Sequence, residues 1–353
     1  MFNVLVTGST GFIGGSFLEK LKKLRLLCNL LGIESFFSAN INLALEGMAM
    51  FNVLVTGSTG FIGSSFLQQL KNEGYNVVGV SRKDVDVKDW WKLLNILNEN
   101  NIDTIFHFAA TSIVAEGHQA PYETILNNVM STAGILEAAR RSLSVKRVIV
   151  MGTDKEYGEV ENADENAPLA KNSGVYGTSK LASSLISLAY RQEFGTKVTV
   201  VRSVNIYGPK DHNLTRIIPK AVYSFVKGVP FTLYVPAGQR GYVFIDDVIE
   251  AFKIVEKHDE LDVINMCSKD VLTSEEVVNK IVKVLSESEL LGNYHVPEFK
   301  IVKVKSPYPE IVNQSLVCDK LKSLGWSQKI SFDEGIKRTV ISLAKYFIGF
   351  NAQ

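Results

Sequence analysis

The chain is poor in cysteine, carries almost no net charge and lacks long apolar runs, and each scarcity excludes something. Its 353 residues hold three cysteines, Cys28, Cys267 and Cys318, far apart and in no CxxC pair. That spacing suggests neither a disulfide framework nor a zinc site, and it points to a reducing, cytoplasmic compartment. Lys and Arg number 38 against 37 Asp and Glu, a net of +1. A nucleic-acid binder held by phosphate neutralisation needs a basic surplus, so that class is excluded. No run of 18 apolar residues occurs, so no membrane span is expected. The N-terminus lacks the basic and apolar regions of a signal peptide.

What is present is an ordinary globular composition, 46% hydrophobic and 21% charged. That is enough apolar surface for a core, and it excludes a disordered chain. The length suits one large or two ordinary domains.

The start of the chain is duplicated. Residues 1–18 and 50–67 differ only at Gly15 and Ser64. Only the second copy runs on into the rest of a fold, so it takes the working role. Residues 1–49 are expected to be an appendage or an artefact of the gene model, with Met50 a natural start. The sharper alternative is that the first copy competes for the central strand.

From Met50 strands and helices alternate. Runs at FNVLVTG, YNVVGVS, IDTIFHFAA, VKRVIVMGT and KVTVVRSVNIYG read as buried strands. Helices are expected over 61–73, from DWWKLLNILNENN, over Tyr122 to Arg141 and over Tyr176 to Phe194. This pattern predicts a doubly wound parallel α/β sheet over 50–208. A smaller α/β lobe, mainly substrate-binding, is expected over 209–345, built of short strands such as FTLYV, DVINMC and KIVKV mixed with helices.

Two motifs carry chemistry. Gly57-Ser58-Thr59-Gly60-Phe61-Ile62-Gly63 joins a strand to a helix, as a turn that brings backbone close to a pyrophosphate. Arg82 and Lys83 follow the second strand, where an acid would bind the ribose of NAD, and lean toward the 2′-phosphate of NADP. Asp86 is a candidate for the adenine end. Tyr176 and Lys180 share a helix face, so an ammonium there would lower the phenol pKa and make a base. Thr153 ends the fourth strand, where its hydroxyl meets the same substrate oxygen.

With GSTGFIG, HFAA at 107–110, Asn128-Val129, TDKEYG at 153–158, YGTSK at 176–180 and RSVNIYGP at 202–209, the chain resembles the extended short-chain dehydrogenase/reductase family. Its nucleotide-sugar epimerases and dehydratases are similar over about 50–340. The resemblance implies a Rossmann sheet, a tightly bound NAD(P), an NDP-sugar between the lobes and a homodimer. It adds Val87, Phe108, Ala109 and Ala110 to the cofactor-binding residues, and Asn128, Asn205, Arg216 and Arg240 to the substrate-binding ones. Asp154-Lys155 after Thr153 is similar to the CDP-glucose 4,6-dehydratase group, where dTDP-glucose dehydratases carry Asp-Glu. Removing water across C5–C6 needs an acid for the C6 hydroxyl and a base for the C5 proton; an epimerase needs neither.

The expected activity is therefore an NDP-hexose 4,6-dehydratase. Its catalytic residues would be Thr153, Asp154, Lys155, Tyr176 and Lys180, with no metal. Glu156 is a poorer base, because neighbours on an extended segment point apart. The alternatives are an NDP-sugar 4-epimerase, an NADPH-dependent 4-keto-sugar reductase and a non-catalytic nucleotide-sensing scaffold. Gly241 and Ser131 depart from the family's pattern. His118 and His212 read as solvated loop histidines.

Overall fold

A computed structural model describes residues 52–287, 294–306 and 311–349. The duplicated segment 1–49 lies outside the described residues. Strands are numbered in chain order: β1 (Asn52–Thr56), β2 (Asn76–Val80), β3 (Thr104–His107), β4 (Arg147–Met151), β5 (Val160–Ala163), β6 (Val198–Ser203), β7 (Asn205–Tyr207), β8 (Phe231–Tyr234), β9 (Gln239–Phe244), β10 (Val263–Met266), β11 (Val271–Thr273), β12 (Ile301–Val304) and β13 (Asn313–Leu316).

Six of them form one parallel sheet in the order β10-β6-β4-β3-β1-β2. The order reverses direction between β1 and β3. In such sheets that switch point is where ligands bind, at the carboxyl ends of the strands. The strands are runs of Val, Ile and Leu because helices cover both faces. On one face Phe66, Phe106 and Phe252 pack ring against ring, with Phe66 and Phe106 centroids 4.5 Å apart. On the other, Leu93, Leu97, Ile135 and Leu136 are fully buried.

The expected boundary at 208/209 does not divide this sheet from the rest. β10, from the DVINMC run assigned to the lobe, is its sixth strand, parallel to β6 with Ile264 beside Val201. A short run of β-branched residues does not say which sheet it joins. The expected fifth strand is likewise two strands. It breaks at Val204, after which β7 leaves to pair with β9. β11, β9, β13 and β5 make a second sheet, and β12 pairs with β8.

The expected helix from Tyr122 to Arg141 is interrupted. Helix Pro121–Ile125 runs into a π-turn, Leu126–Met130, and then helix Ser131–Arg141. A π-turn inserts one residue and re-aims what it carries; here Asn128 is turned inward and is 1% exposed.

The cysteine reading is also corrected. Cys267 and Cys318, 51 residues apart, form a disulfide. Sequence separation hid the pair, because β10 and the segment after β13 meet only in the folded chain. Among the described residues no helix is long and apolar enough to cross a membrane.

Candidate active site

The carboxyl ends of β4 and β6, the helix Gly174–Phe194 and the second sheet enclose a cleft of about 670 Å³. Thr153, Asp154, Lys155, Tyr176, Asn205, Arg216, Arg240 and Ile62 all line it.

The run after β4 is not extended. Asp154–Tyr157 is a 3-10 turn capped by Thr153, whose backbone N–H donates to Glu156 Oε1 at 2.9 Å. The other Glu156 oxygen takes the Arg202 Nε–H at 2.8 Å, both side chains being almost fully buried. Glu156 thus has a structural position: it braces the turn from below, so it is the turn and not strand alternation that removes it from the cleft. Tyr157 adds a second brace, donating to Asn265 on β10 at 2.9 Å and accepting from Arg202 at 2.9 Å.

The turn leaves Asp154 and Lys155 on the cleft side as an ion pair, Nζ to Oδ1 3.1 Å. Thr153 Oγ1 donates to the same Oδ1 at 3.1 Å. The second oxygen, Oδ2, is buried with no protein partner. Lys155 also donates to Gln314 Oε1 on β13. Gln314 carries no sequence signal: it lies 159 positions downstream, in a strand reading NQSL without clear alternation.

Tyr176 and Lys180 lie one turn apart, but the expected lowering of the phenol is not what the structure holds. Burial pushes the Tyr176 phenol up to about 12, opposed by the positive charge of Arg216. Lys180 donates instead to the Met151 carbonyl at 2.5 Å, and burial pulls its ammonium down to about 8. A desolvated ammonium turned to a carbonyl does not favour the phenolate.

The predicted substrate contacts divide. Asn205 and Arg216 face the cleft, the latter paired with Asp211 at 3.3 Å. Arg240 is there too, but its guanidinium donates to the carbonyls of Gln239 at 2.8 Å and Val312 at 2.7 Å, and also to Ile311. Asn128 is a correction. Its Oδ1 accepts from Thr111 N at 2.7 Å, and its Nδ2 donates to Thr111 O at 3.0 Å and Ser179 Oγ at 2.8 Å. Both amide hydrogens are engaged in holding the loop to the helix, leaving none for substrate. His118 lines the cleft, and His212 stacks on Tyr346 at 3.8 Å.

At the switch point the glycine turn is built for close approach. Gly57 has φ +67°, and a Cβ there would meet Ala109 N at 2.9 Å. A Cβ on Gly63 would lie 2.2 Å from Gly57 O. The helix Phe61–Asn72 starts without a side-chain cap, so its first N–H groups face out past Thr59 and Gly60 as an anion cradle. These residues fit a dinucleotide pyrophosphate. Beyond β2, Arg82 and Lys83 are exposed, while Asp84 folds back to accept from Ser81 N at 2.8 Å and Ser81 Oγ at 2.7 Å. Asp86 is exposed and pairs with Lys88 at 3.3 Å. The side chains of Val87 and Phe108 are core packing, which leaves only their backbone to a ligand. Ala109 is partly buried and Ala110 exposed beside the turn.

Comparison with known proteins agrees with this geometry. A trifunctional UDP-glucose 4,6-dehydratase/UDP-4-keto-6-deoxy-D-glucose 3,5-epimerase/UDP-4-keto-L-rhamnose-reductase of Arabidopsis thaliana is 29% identical over 254 residues, 69% of this chain and 36% of that protein. The chain thus spans about a third of that relative's length. The dTDP-glucose 4,6-dehydratase of Haemophilus influenzae is 27% identical over 276 residues, 72% of this chain and 80% of that one. Among solved structures, the NAD complex of Thermus thermophilus UDP-glucose 4-epimerase superposes with a TM-score of 0.75 at 26% identity, over 85% of this chain and 100% of the other. The DesIV dTDP-glucose 4,6-dehydratase of Streptomyces venezuelae gives 0.74 at 27%, over 83% and 96%. Residues 53–267 match the sequence profile of one family, and the chain belongs to it: the NAD dependent epimerase/dehydratase family.

Proposed function

We propose that the chain is an NDP-hexose 4,6-dehydratase, removing water across C5–C6 of a nucleotide-linked hexose. One observation carries the reading: Asp154 and Lys155, an acid and a base in contact at 3.1 Å, sit on the cleft beside Thr153. The relatives named dTDP-glucose 4,6-dehydratase support it.

The glycine turn at 57–63, the 108–110 segment, Tyr176 and Lys180 would hold a nicotinamide dinucleotide, with Arg82 and Lys83 beside a 2′-phosphate if it is NADP. When bound, that group supplies a reversible hydride acceptor. Arg216, Asn205 and Arg240 orient the nucleotide diphosphate. Tyr176 and Thr153 contact the C4 hydroxyl. Lys155, in its neutral form, takes the C5 proton, and Asp154 protonates the departing C6 oxygen. Both side chains are largely buried, 14% and 2% exposed, while Lys155 still exchanges its protons with solvent, so that the C5 position takes up solvent hydrogen.

A homodimer completes the reading; the cytoplasmic compartment read from dispersed cysteines loses its basis with the Cys267–Cys318 disulfide. Exposed Tyr122, Ile125, Met130 and Leu185, on the helices over 121–141 and 174–194, support pairing through those helices.

The test is product mass and deuterium content after incubation with CDP-, dTDP-, UDP- and GDP-glucose in heavy water. A product lighter by one water, with deuterium at C5, supports the dehydratase and names its nucleotide. An unchanged mass with inverted C4 means a 4-epimerase, the second reading, favoured by the epimerase-like fold.

A further inference from the structure

Residues 2–22 and 51–71 are two copies of one sequence, and the second copy shows which of its positions face the rest of the fold. β1 lies between β2 and β3 and is bonded to both. Val53, Leu54, Val55 and Thr56 of β1 are buried, as are Phe66 and Leu70 of the helix Phe61–Asn72. The first copy repeats each of them, Val6 standing for Val55 and Phe17 for Phe66. Where the copies differ, the position is not buried. Gly15 replaces half-buried Ser64, and Glu19, Lys20 and Lys23 replace exposed Gln68, Gln69 and Asn72. Gln68 accepts from Lys210, and Glu19 in its place offers that lysine an opposite charge.

The turn is repeated as well. Gly57 has φ +67°, and a Cβ on Gly63 would lie 2.2 Å from Gly57 O; Gly8 and Gly14 meet both demands. Thr56 Oγ1 accepts from Phe108 N and Ala109 N, and Thr7 carries the same hydroxyl. We propose that residues 8–14 are a second working dinucleotide-binding turn: in a fraction of chains, residues 2–22 fill the place of β1 and the helix Phe61–Asn72. The inference goes beyond the dehydratase reading and does not depend on it. What separates the two arrangements is the connection to β2. Glu73, Gly74 and Tyr75 make it in the structure, whereas residues 24–75 make it when the first copy is in place. Loop-closure entropy grows only with the logarithm of length, so the second copy is preferred by roughly 10–100-fold. The longer connection leaves from the amino-terminal edge of the parallel sheet, opposite the strand ends that face the cleft, so the site stays open. A strand bonded on both sides does not leave a finished sheet, so the choice is made as the sheet forms.

The test is complementation within the full chain. Val55 is fully buried, beside Gly79 on β2 and Phe106 on β3, and an aspartate there is an unpaired buried charge. Val55→Asp should still melt cooperatively in urea and bind NADH, followed by fluorescence, because Val6 takes the position. Val6→Asp/Val55→Asp should do neither, while Val6→Asp alone should leave the melt in place. Failure of Val55→Asp to fold overturns the proposal, and so does a double variant that folds as well as Val55→Asp. A pair of glycine variants repeats the test without loading the core. Gly14→Ala should weaken NADH binding of Gly63→Ala by a further factor of at least about three. Equal affinity in Gly63→Ala and Gly14→Ala/Gly63→Ala means that the first turn never serves.

Discussion

Gln314, on β13 of the second sheet, holds Lys155 against Asp154. Its Nε2 donates to the carbonyls of Asp154 and Gly158, each at 2.8 Å. Two carbonyls on the amine end fix which way round the amide lies. Its oxygen is therefore presented to Lys155 and cannot be exchanged for a donor.

Substituting Gln314 should alter the pH profile as well as the rate. Gln314→Glu places a carboxylate beside Lys155, which favours the ammonium. If Lys155 acts as the neutral base, the acid limb of kcat moves to higher pH, while Gln314→Leu lowers kcat with KM little changed. A profile that stays in place in Gln314→Glu would remove Lys155 from the rate-determining proton transfer.

His107 should make the fold acid-sensitive. Thr56 Oγ1 accepts from Phe108 N and Ala109 N, each at 3.1 Å, so its proton goes to His107 Nδ1 at 2.9 Å. The ring proton is then on Nε2, facing Thr132. Burial, with Lys180 nearby, holds this imidazole down to about 3. The unfolded ring titrates near 6.5, so between those values the unfolded chain binds the extra proton. Stability is complete above about pH 6.5 and falls as the pH drops toward 3, by about 2–3 kcal/mol at pH 4.5. Urea melts at pH 7 and 4.5 measure it, and His107→Gln should flatten the difference between them.

Gly63→Ala should weaken dinucleotide binding by opening the glycine turn. The added Cβ meets the Gly57 carbonyl oxygen at 2.2 Å and its carbon at 2.8 Å, both backbone. The turn must open, which moves the cradle N–H groups off their target. Titration of NADH fluorescence should show affinity weaker by at least about tenfold, a loss of about 1.4 kcal/mol. Unchanged affinity would place the pyrophosphate elsewhere.

Cys318→Ser should cost about 2–4 kcal/mol of stability, the usual range for a loop of this size. Denaturant melts with and without reductant check it. A chain equally stable in both would mean that Cys267 and Cys318 remain thiols in solution, as the sequence spacing suggests.

Much of the site was legible because its chemistry is local. The glycine turn, Thr153 with Asp154 and Lys155, and Tyr176 with Lys180 are short strings whose spacing carries geometry. What escaped is what the tertiary structure joins. Gln314 reaches Lys155 only through β13. Asn128 turns inward because of a π-turn that no periodicity announces. Lys180 is drawn to the Met151 carbonyl by burial rather than to the phenol. The strand Val263–Met266 was visible as a strand, but its sheet was not, since pairing depends on where the intervening helix Ile245–Glu256 returns the chain.

That late sixth strand has a consequence for synthesis. β10 bonds to β6, and its Asn265 receives the Tyr157 hydroxyl that braces the Thr153 turn. On the ribosome neither contact exists until about two hundred residues beyond β1 have emerged. The nucleotide-binding half is thus long in reach along the chain, and its edge at β6 stays open for that interval. Unpaired edges are where nascent chains pair wrongly. Truncation before Val263 removes the last strand, so a fragment ending near residue 208 leaves β6 as the open edge of a five-stranded sheet.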